Sequence, residues 1–423
     1  MRSNAPALLV LLVSIAAATV RAETVDATLT TILQGRQDPR DGNLYTSVPL
    51  YESLTLRIDE LPLRHVDDFR LVVSGWGEVQ LAPVRTTAGT GDLDLGFVEG
   101  KLFRRRLELR LGRQLVFGGA ARALPLDGAS ATVRLPRRIA VNVYGGVPVT
   151  PRFGVHQGDF VSGGRLSFRP SVDSEIGASF IEMLKDGLQA RQDLGVDARY
   201  HPTAPALRSL TLTGYALVSL IELRLVEGDV AATWQALRTP LQLGLDYRRT
   251  SPDLFLPRSS ILSVFSQETH DEAGGNLYWR PVSRVRVEGD WHAVVDGDGF
   301  GQRGGARITG SLGPAFETTL TAEARVLRLV TDDGYVQARV YAVQRLATKL
   351  VATLDLDAYW LERAINGQTL SFTSAATLGW DFSPGWRAVV TGIADTTPQV
   401  ERRVECMAKL VYNAVYHVRR EVQ

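Results

Sequence analysis

Strict alternation of apolar and polar residues from Leu350 to Phe382 constrains the fold of this 423-residue chain more than any other feature. Two alternating runs are joined by a polar turn at Asn366-Gly367. The apolar face of the first run carries Leu350, Ala352, Leu354, Leu356, Ala358 and Trp360, and its polar face carries Thr353, Asp355, Asp357 and Tyr359. A period of two residues indicates a β-strand with one apolar and one wet face.

The second run has the same period and ends in large aromatic residues. Its apolar face carries Leu370, Phe372, Ala376, Leu378, Trp380 and Phe382, opposite Ser371, Thr373, Thr377 and Asp381. Two such runs joined by Asn-Gly predict a β-hairpin. Trp360, Trp380 and Phe382 lie at strand ends, where the interface of a bilayer favours aromatic side chains. The pattern predicts a transmembrane antiparallel β-barrel that repeats this hairpin.

The first 22 residues have the pattern of a secretory signal peptide. Arg2 precedes an apolar run from Ala7 to Val20, and small residues flank the expected cleavage site after Ala22. Residues 23 to 43 lack sustained alternation and end in turn-forming residues, so we expect a periplasmic N-terminal lead-in. Residues 44 to 423 then form the barrel. We expect such an exported chain in the lipid bilayer of the bacterial outer membrane, inserted by the barrel-assembly machinery.

Composition agrees with strands and excludes several classes of protein. Lys and Arg number 47 against 46 Asp and Glu, which argues against a nucleic-acid binder. A hydrophobic fraction of 45% is too low for a helical membrane protein. Cys406 is the only cysteine, so no intramolecular disulfide can form. The alternating runs number between about 16 and 20, and we predict about 18 strands because single-chain bacterial barrels have even numbers.

A soluble antiparallel sandwich would show the same alternation, since it also has one apolar and one solvated face. The polar faces of this chain, however, are rich in arginine. Its apolar faces carry Leu, Val, Ala and aromatic residues at strand ends, as lipid-facing strands do. These two features favour a membrane barrel over a secreted all-β protein.

A barrel of about 18 strands is too wide for its own side chains to fill, so function is expected in the lumen and in loops that fold inward. Long connections are predicted at Gly112 to Ala129, Gly145 to Phe160 and Ser251 to Glu272. The apolar piece from Ser260 to Phe265 is either a constriction inside the barrel or, equally, an external loop or a further strand.

The residues expected to line the pore are mostly arginines. The candidates are Arg110, Arg113, Gln114, Arg165, Arg169, Arg199, Arg248, Arg284, Arg286, Arg307, Arg325, Arg339, Tyr341 and Tyr359. Guanidinium groups bind carboxylates or phosphates, and tyrosine rings offer stacking surfaces to sugars, so together they would favour an acidic saccharide. In the alternative interpretation, the arginines pair with acidic residues on neighbouring strands and are structural.

A short glycine-rich stretch indicates a family. Leu111-Gly112-Arg113-Gln114 is followed by Gly118-Gly119 and by Pro125-Leu126-Asp127-Gly128. This pattern resembles the alginate-exporter-like outer-membrane barrels, and the length and late strands look like those of myxobacterial exopolysaccharide-export barrels. The resemblance implies an 18-stranded pore for polysaccharide secretion, with Arg113 and Gln114 near the pore wall. Such a pore would work with periplasmic and inner-membrane export machinery.

Two other functions remain open. One is a diffusion porin for small anionic solutes. The other is an outer-membrane hydrolase that uses Asp290 and His292, two residues apart on one strand face, as an acid/base pair. Because a cross-strand salt bridge explains that pair more simply, we expect no enzymatic activity. The histidines lack metal-ligand spacing, and the run from Asp296 has Arg307 where an EF-hand has glutamate, so we predict neither a cofactor nor a metal.

Overall fold

The computed structural model describes residues 24–40, 43–60, 66–82, 89–150, 155–156, 158–204, 207–237, 239–251, 269–297, 299–315, 317–329, 334–398 and 400–417. The expected signal peptide, residues 1 to 22, lies outside these ranges. The apolar piece from Ser260 to Phe265 also lies outside them.

Strands make up almost all the regular structure of the described residues, together with 3-10 turns at Gly119–Ala121 and Pro136–Arg138. The strands are β1 Thr24–Arg40, β2 Asn43–Ser47, β3 Pro49–Asp59, β4 Asp68–Gln80, β5 Thr90–Leu102, β6 Leu107–Phe117, β7 Ala123–Leu135, β8 Ile139–Thr150, β9 Val155–His156, β10 Phe160–Phe168, β11 Glu175–Lys185, β12 Leu188–Tyr200, β13 Leu210–Ser219, β14 Arg224–Gln235, β15 Leu241–Thr250, β16 His270–Val282, β17 Val285–Asp296, β18 Gly299–Leu312, β19 Thr318–Arg328, β20 Tyr335–Ala347, β21 Leu350–Ile365, β22 Gln368–Ser383, β23 Trp386–Thr397 and β24 Val400–His417. No helix in these ranges is long and apolar enough to cross a membrane.

Of the 24 strands in the described ranges, 22 form one closed antiparallel ring. Each ring strand pairs with the next along the chain, and the ring closes where β1 pairs with β24, from Thr24 opposite His417 to Gly35 opposite Cys406. The short strands β2 and β9 only extend hairpins. A closed ring leaves no unpaired strand edge, which a sheet within a bilayer requires.

The all-β antiparallel barrel is confirmed, but two predictions about its extent were wrong. The ring has 22 strands over the described ranges rather than about 18. In addition, residues 23 to 43 are not a lead-in, because β1 begins at Thr24 and pairs with both β3 and β24. The alternation of β1 is weak because Thr30 and Thr31 occupy opposite faces. In β18, five glycines in 14 residues hide the pattern.

The outer surface is apolar between two belts of exposed aromatic side chains. At the proximal end, where β1 begins and β24 ends, the belt consists of Phe168, Tyr200, Trp234, Trp279, Trp380, Phe382 and Tyr416. At the opposite, distal end it consists of Phe160, Tyr247, Phe300, Trp360 and Phe372. Exposed Leu and Val side chains such as Val196 and Leu245 lie between. An apolar band flanked by aromatic girdles is what a membrane-spanning barrel presents to lipid.

Two-residue turns join ring strands at both ends of the barrel. They are residues 283–284, 348–349 and 384–385 at the proximal end, and residues 186–187 and 366–367 at the distal end.

Candidate functional site

The hairpin formed by β6 and β7 bends into the lumen at the distal end. Gly112 pairs with Gly128, which in turn pairs with Gly146 on β8. Gly112 has a φ of 116°, in the region that favours glycine. A Cβ atom at Gly128 would lie 2.1 Å from the carbonyl oxygen of Gly145. Glycine alone permits this approach of backbones, and such glycine positions are where sheets bend.

Beyond this glycine row, residues 113–127, here called the inward hairpin, pack against the inside of the wall. Their apolar side chains share one core with residues that project inward from β8, β10, β11, β13 and β14. The core consists of Val116, Ala120, Ala121, Leu124, Leu126, Tyr144, Val161, Ile181, Met183, Leu217 and Val226. Removal of these side chains from water, at about 25 cal/mol per Å², favours the folded-in position of the hairpin.

Hydrogen bonds fix the tip of the inward hairpin to the wall. The backbone N–H of Ala120 donates to Ser179 Oγ at 2.7 Å. The carbonyl oxygen of Ala120 accepts a bond from Arg191 Nη2 at 3.3 Å, and that of Gly119 accepts one from the Tyr215 hydroxyl at 3.3 Å. The two bonds to Ala120 satisfy backbone groups of a fully buried residue, and the bond from Tyr215 adds to the one that the Gly119 carbonyl accepts from the Arg122 N–H.

An ion pair shows how far the inward hairpin reaches. Arg122 pairs with Glu227 on β14, whose side chain is 5% exposed. Around the ring, β14 is six strands from β7, which is about 29 Å along the wall at roughly 4.8 Å per strand. An arginine side chain cannot span that distance. The hairpin must therefore cross the lumen and lie over the part bordered by β8 to β14.

Removal of the Arg122 charge should loosen this hairpin. Arg122→Gln leaves the Glu227 carboxylate buried without its cation, which is more costly than loss of the whole pair. We expect single-channel recordings of this variant to show several-fold more frequent current fluctuations than the wild type. Arg122→Gln combined with Glu227→Gln should return the fluctuations toward the wild-type frequency. If both variants match the wild type, the ion pair does not hold the hairpin.

The first of the three predicted long connections is the one that folds inward. Most of Gly112 to Ala129 is strand, and its turn makes the contacts to the wall. The stretch from Gly145 to Phe160 contains the end of β8 and the short β9, and part of it lies outside the described residues. For the expected constriction from Ser260 to Phe265 the structure provides no description.

Most candidate pore-lining arginines face the lumen and pair with acidic side chains. Arg339 donates two bonds to Asp355, at 2.8 and 2.5 Å, and Arg165 donates two to Asp197, at 3.0 and 2.5 Å. The other pairs are Arg110 with Glu99, Arg169 with Glu175, Arg248 with Asp229, Arg286 and Arg307 with Glu288, and Arg325 with Glu323. Paired charges cancel locally. The wall therefore offers few uncompensated guanidinium groups.

Two candidates from the glycine-rich motif lie at the base of the inward hairpin. Gln114 is fully buried, and its Oε1 accepts a bond from Ser130 at 2.7 Å. Arg113 pairs with Gly96 on β5, and it binds Asp127 at 2.7 Å and Asp92 on β5 at 2.9 Å. Both residues are therefore beside the wall, but Gln114 is enclosed and does not face the open lumen.

Two further candidates lie at the proximal side of the wall. Arg199 is near the end of β12 and has no ion pair among the described residues. Arg284 lies in the turn between β16 and β17. Both residues therefore lie at the proximal mouth of the barrel.

Tyr341 and Tyr359 project into the lumen from β20 and β21. The ring of Tyr359 packs edge-on against Tyr335, with 5.4 Å between the ring centroids. Its hydroxyl accepts a bond from Gln337 Nε2 at 2.9 Å. The guanidinium of Arg339 lies 6.0 Å from the ring centroid of Tyr341. These contacts hold both rings in place on the lumen wall.

The geometry of Asp290 and His292 does not support catalysis. His292 is 5% exposed, and its Nε2 contacts Asp246 at 3.1 Å. Its Nδ1 lies 3.9 Å from Asp290 Oδ2, which is beyond hydrogen-bond distance. A general base must reach its substrate, whereas this imidazole is enclosed by carboxylates of its own wall. Over the described ranges, no group of three or more His, Cys, Asp or Glu side chains is arranged to hold a metal ion.

Sequence analysis missed the wall residues that hold the inward hairpin, namely Ser179, Arg191 and Glu227. Their partners lie 59, 71 and 105 residues earlier in the chain, so no local spacing links them. One signal was available in β11. Ile181 and Met183 follow the lumen-facing Ser179, so the inner face of this strand turns apolar toward the distal end. An apolar inner face predicts that something covers it.

Comparison with known proteins supports the fold. No protein-family model and no curated protein matches the sequence. The translocation pore of the P pilus usher PapC has a TM-score of 0.52 to this chain at 11% identity, over 92% of this chain and 99% of that one. The fold is that of an outer-membrane β-barrel. The closed ring and its two aromatic belts place the protein in the bacterial outer membrane.

Two further solved structures are similar at lower scores. OccAB4 of Acinetobacter baumannii has a TM-score of 0.42 and 11% identity, over 94% of this chain and 99% of its own. OpdK of Pseudomonas aeruginosa, solved with vanillate, has a TM-score of 0.45 and 12% identity, over 93% of this chain and 98% of its own.

Proposed function

We propose that this barrel is a passive diffusion channel for small polar solutes. The observation that carries the proposal is the polar inner wall of a closed ring of 22 described strands. A ring of this size encloses more space than its own side chains fill. The inward hairpin narrows one side of the distal mouth and sets an upper limit on solute size.

Hydroxyl groups support an aqueous path along the wall opposite the inward hairpin. Pairs of hydroxyls lie 3.1 Å apart at Thr55 and Ser74, 3.1 Å apart at Thr309 and Thr321, and 2.9 Å apart at Thr377 and Thr391. A hydroxyl donates and accepts, so it can exchange a water for a solute group without loss of hydrogen bonds. Small sugars and other polar metabolites fit such a surface.

The ion pairs of the wall argue for weak charge selectivity. A preference for anions requires guanidinium charges that acidic neighbours do not cancel. In this wall Arg165, Arg248 and Arg339 each bind a carboxylate within 3.1 Å. The channel therefore passes small anions, and it passes small neutral and cationic solutes as well.

A conductance measurement tests this function. The purified full chain in a planar bilayer should conduct KCl without any partner protein. In a KCl gradient the ratio of chloride to potassium permeability should stay within about threefold of unity, because neighbouring charges of opposite sign screen each other. A wild-type barrel that inserts but carries no current would contradict the proposal.

Polysaccharide secretion is the second candidate function, and the aromatic rings of β20 and β21 favour it. Tyr335 and Tyr359 pack together on the lumen face and Tyr341 lies further along β20 on the same face, and such rings stack on sugars. In this case the inward hairpin would close the resting pore, and periplasmic and inner-membrane machinery would supply the polymer. A barrel that conducts only after removal of the hairpin would support secretion over diffusion.

A further inference from the structure

A recess opens in the lumen wall between β16 and β19. Two rows of directly paired residues border it. The distal row is Asn276, Asp290, Gly305 and Arg325, and the proximal row is Tyr278, Glu288, Arg307 and Glu323. Its volume is about 210 Å³, below the usual range for drug-sized ligands, so it fits a compact solute.

The recess exists because Gly305 has no side chain. A Cβ atom at this position would lie 2.9 Å from Cγ of Arg325 and 3.5 Å from Oδ1 of Asp290. Asp290 and Arg325 therefore stand on opposite sides of the gap. One side of the recess is acidic and the other side is basic.

Asp290, on the acidic side, has the fewest close partners of the carboxylates in the recess. Glu288 and Glu323 of the proximal row each pair closely with an arginine. Among the described residues, the charged groups within 4 Å of the Asp290 carboxylate are Arg303 Nη1 at 3.7 Å and His292 Nδ1 at 3.9 Å, and Asp290 accepts no hydrogen bond from these residues. An ionised carboxylate can accept several strong bonds, so Asp290 retains capacity for a cationic group of a solute.

The basic side also retains hydrogen-bond donors. Arg325 binds Glu323 through Nε. None of the hydrogen bonds among the described residues uses its two terminal nitrogens, and its side chain is 43% exposed. A guanidinium presents donors in a planar fork that matches a carboxylate.

We propose that this recess binds small zwitterions, and α-amino acids in particular, as they pass through the lumen. The ammonium group binds Asp290 and the carboxylate binds Arg325, while the side chain of the solute lies toward Asn276 and Tyr278. A solute with one charge satisfies one side of the gap and is repelled by the other. The inference rests on the proposed channel function and names a substrate class for it.

The test uses three solutes of similar size on the full chain in planar bilayers. L-Alanine has both charges, propionate lacks the ammonium group, and ethylamine lacks the carboxylate. Alanine should reduce the KCl current in a saturable manner, with a half-maximal concentration about tenfold below that of either analogue, because each analogue loses one charge-assisted hydrogen-bonded contact.

Substitutions locate the effect in the recess. Asp290→Asn should raise the half-maximal concentration of alanine about tenfold through loss of one charged contact. Gly305→Val should fill the recess and abolish the effect. Gly310→Val is the matched control in the same strand, since a Cβ atom there has no neighbour within 4 Å. It should behave as the wild type in its KCl conductance and in its response to alanine.

The outcomes separate this inference from the channel function. A wild-type barrel without KCl conductance contradicts the channel itself. If the barrel conducts but propionate or ethylamine acts at the same concentration as alanine, the zwitterion assignment is overturned. An alanine effect that persists in Gly305→Val overturns the recess as its location.

Discussion

A barrel without the inward hairpin should conduct roughly twice as much current as the wild type, because conductance follows the open cross-section at the narrowest level. The change replaces residues 113–127 by Asn-Gly. Gly112 and Gly128 pair directly, so a two-residue turn can join them as a tight hairpin. The shortened hairpin ends at the bend and no longer crosses to β14. Single-channel recordings in KCl measure the difference, and larger sugars should also enter proteoliposomes that contain the variant.

A second turn at the distal end provides the control for this deletion. Asp186-Gly187 joins β11 and β12, and a Cβ atom at Gly187 would have no neighbour within 4 Å. Asp186→Asn, which gives this turn the same Asn-Gly sequence, should leave the conductance unchanged. If the hairpin deletion folds but conducts no more than this control, the inward hairpin does not limit the current.

The hairpin of β21 and β22 could be predicted from the sequence almost to the residue. Its strands span Leu350–Ile365 and Gln368–Ser383, and the turn residues Asn366 and Gly367 have φ of 51° and 79°. Positive φ at both positions is the turn that Asn-Gly favours. The prediction succeeds because lipid contacts one face of each strand and water the other. Each position therefore requires either an apolar or a polar residue.

The predicted number of strands was too low because, in some strands, the residue types do not distinguish the lipid-facing side from the lumen-facing side. β18 has glycine at five of its 14 positions, and threonine is tolerated on both faces of β1. β5 adds a register shift opposite Ser74 and Gly75, which interrupts its alternation. Four strands beyond the predicted 18 were therefore not recognised as separate crossings.

The inward hairpin could not be predicted because its contacts are distant in sequence. The glycines at positions 112 and 128 indicate that the strands bend, but they do not fix the direction of the bend. That direction follows from apolar residues on the lumen faces of other strands, such as Ile181 and Leu217. For the same reason, the sequence did not indicate that Gln114 is enclosed at the base of the hairpin, where it bonds Ser130 and does not face the open lumen.

A methyl group at Gly128 should be among the most damaging small changes in the barrel. In Gly128→Ala the new Cβ atom would lie 2.1 Å from the carbonyl oxygen of Gly145 and 2.7 Å from Cα of Gly146. Both atoms belong to the backbone of β8, so neither can move without distorting the sheet. We expect a loss of about 1–3 kcal/mol in the free energy of unfolding, the usual range for overpacking.

Gly392→Ala is the control, because a Cβ atom at Gly392 on β23 has no neighbour within 4 Å. It should change the free energy of unfolding by no more than about 0.5 kcal/mol. Urea titrations in detergent, followed by tryptophan fluorescence, compare the two variants with the wild type. Strain at Gly128 can also be relieved if the hairpin swings out of the lumen. In that case the loss of stability is smaller and the conductance rises toward that of the hairpin deletion. If Gly128→Ala matches Gly392→Ala in both stability and conductance, the close contact of β7 with β8 does not set the bend.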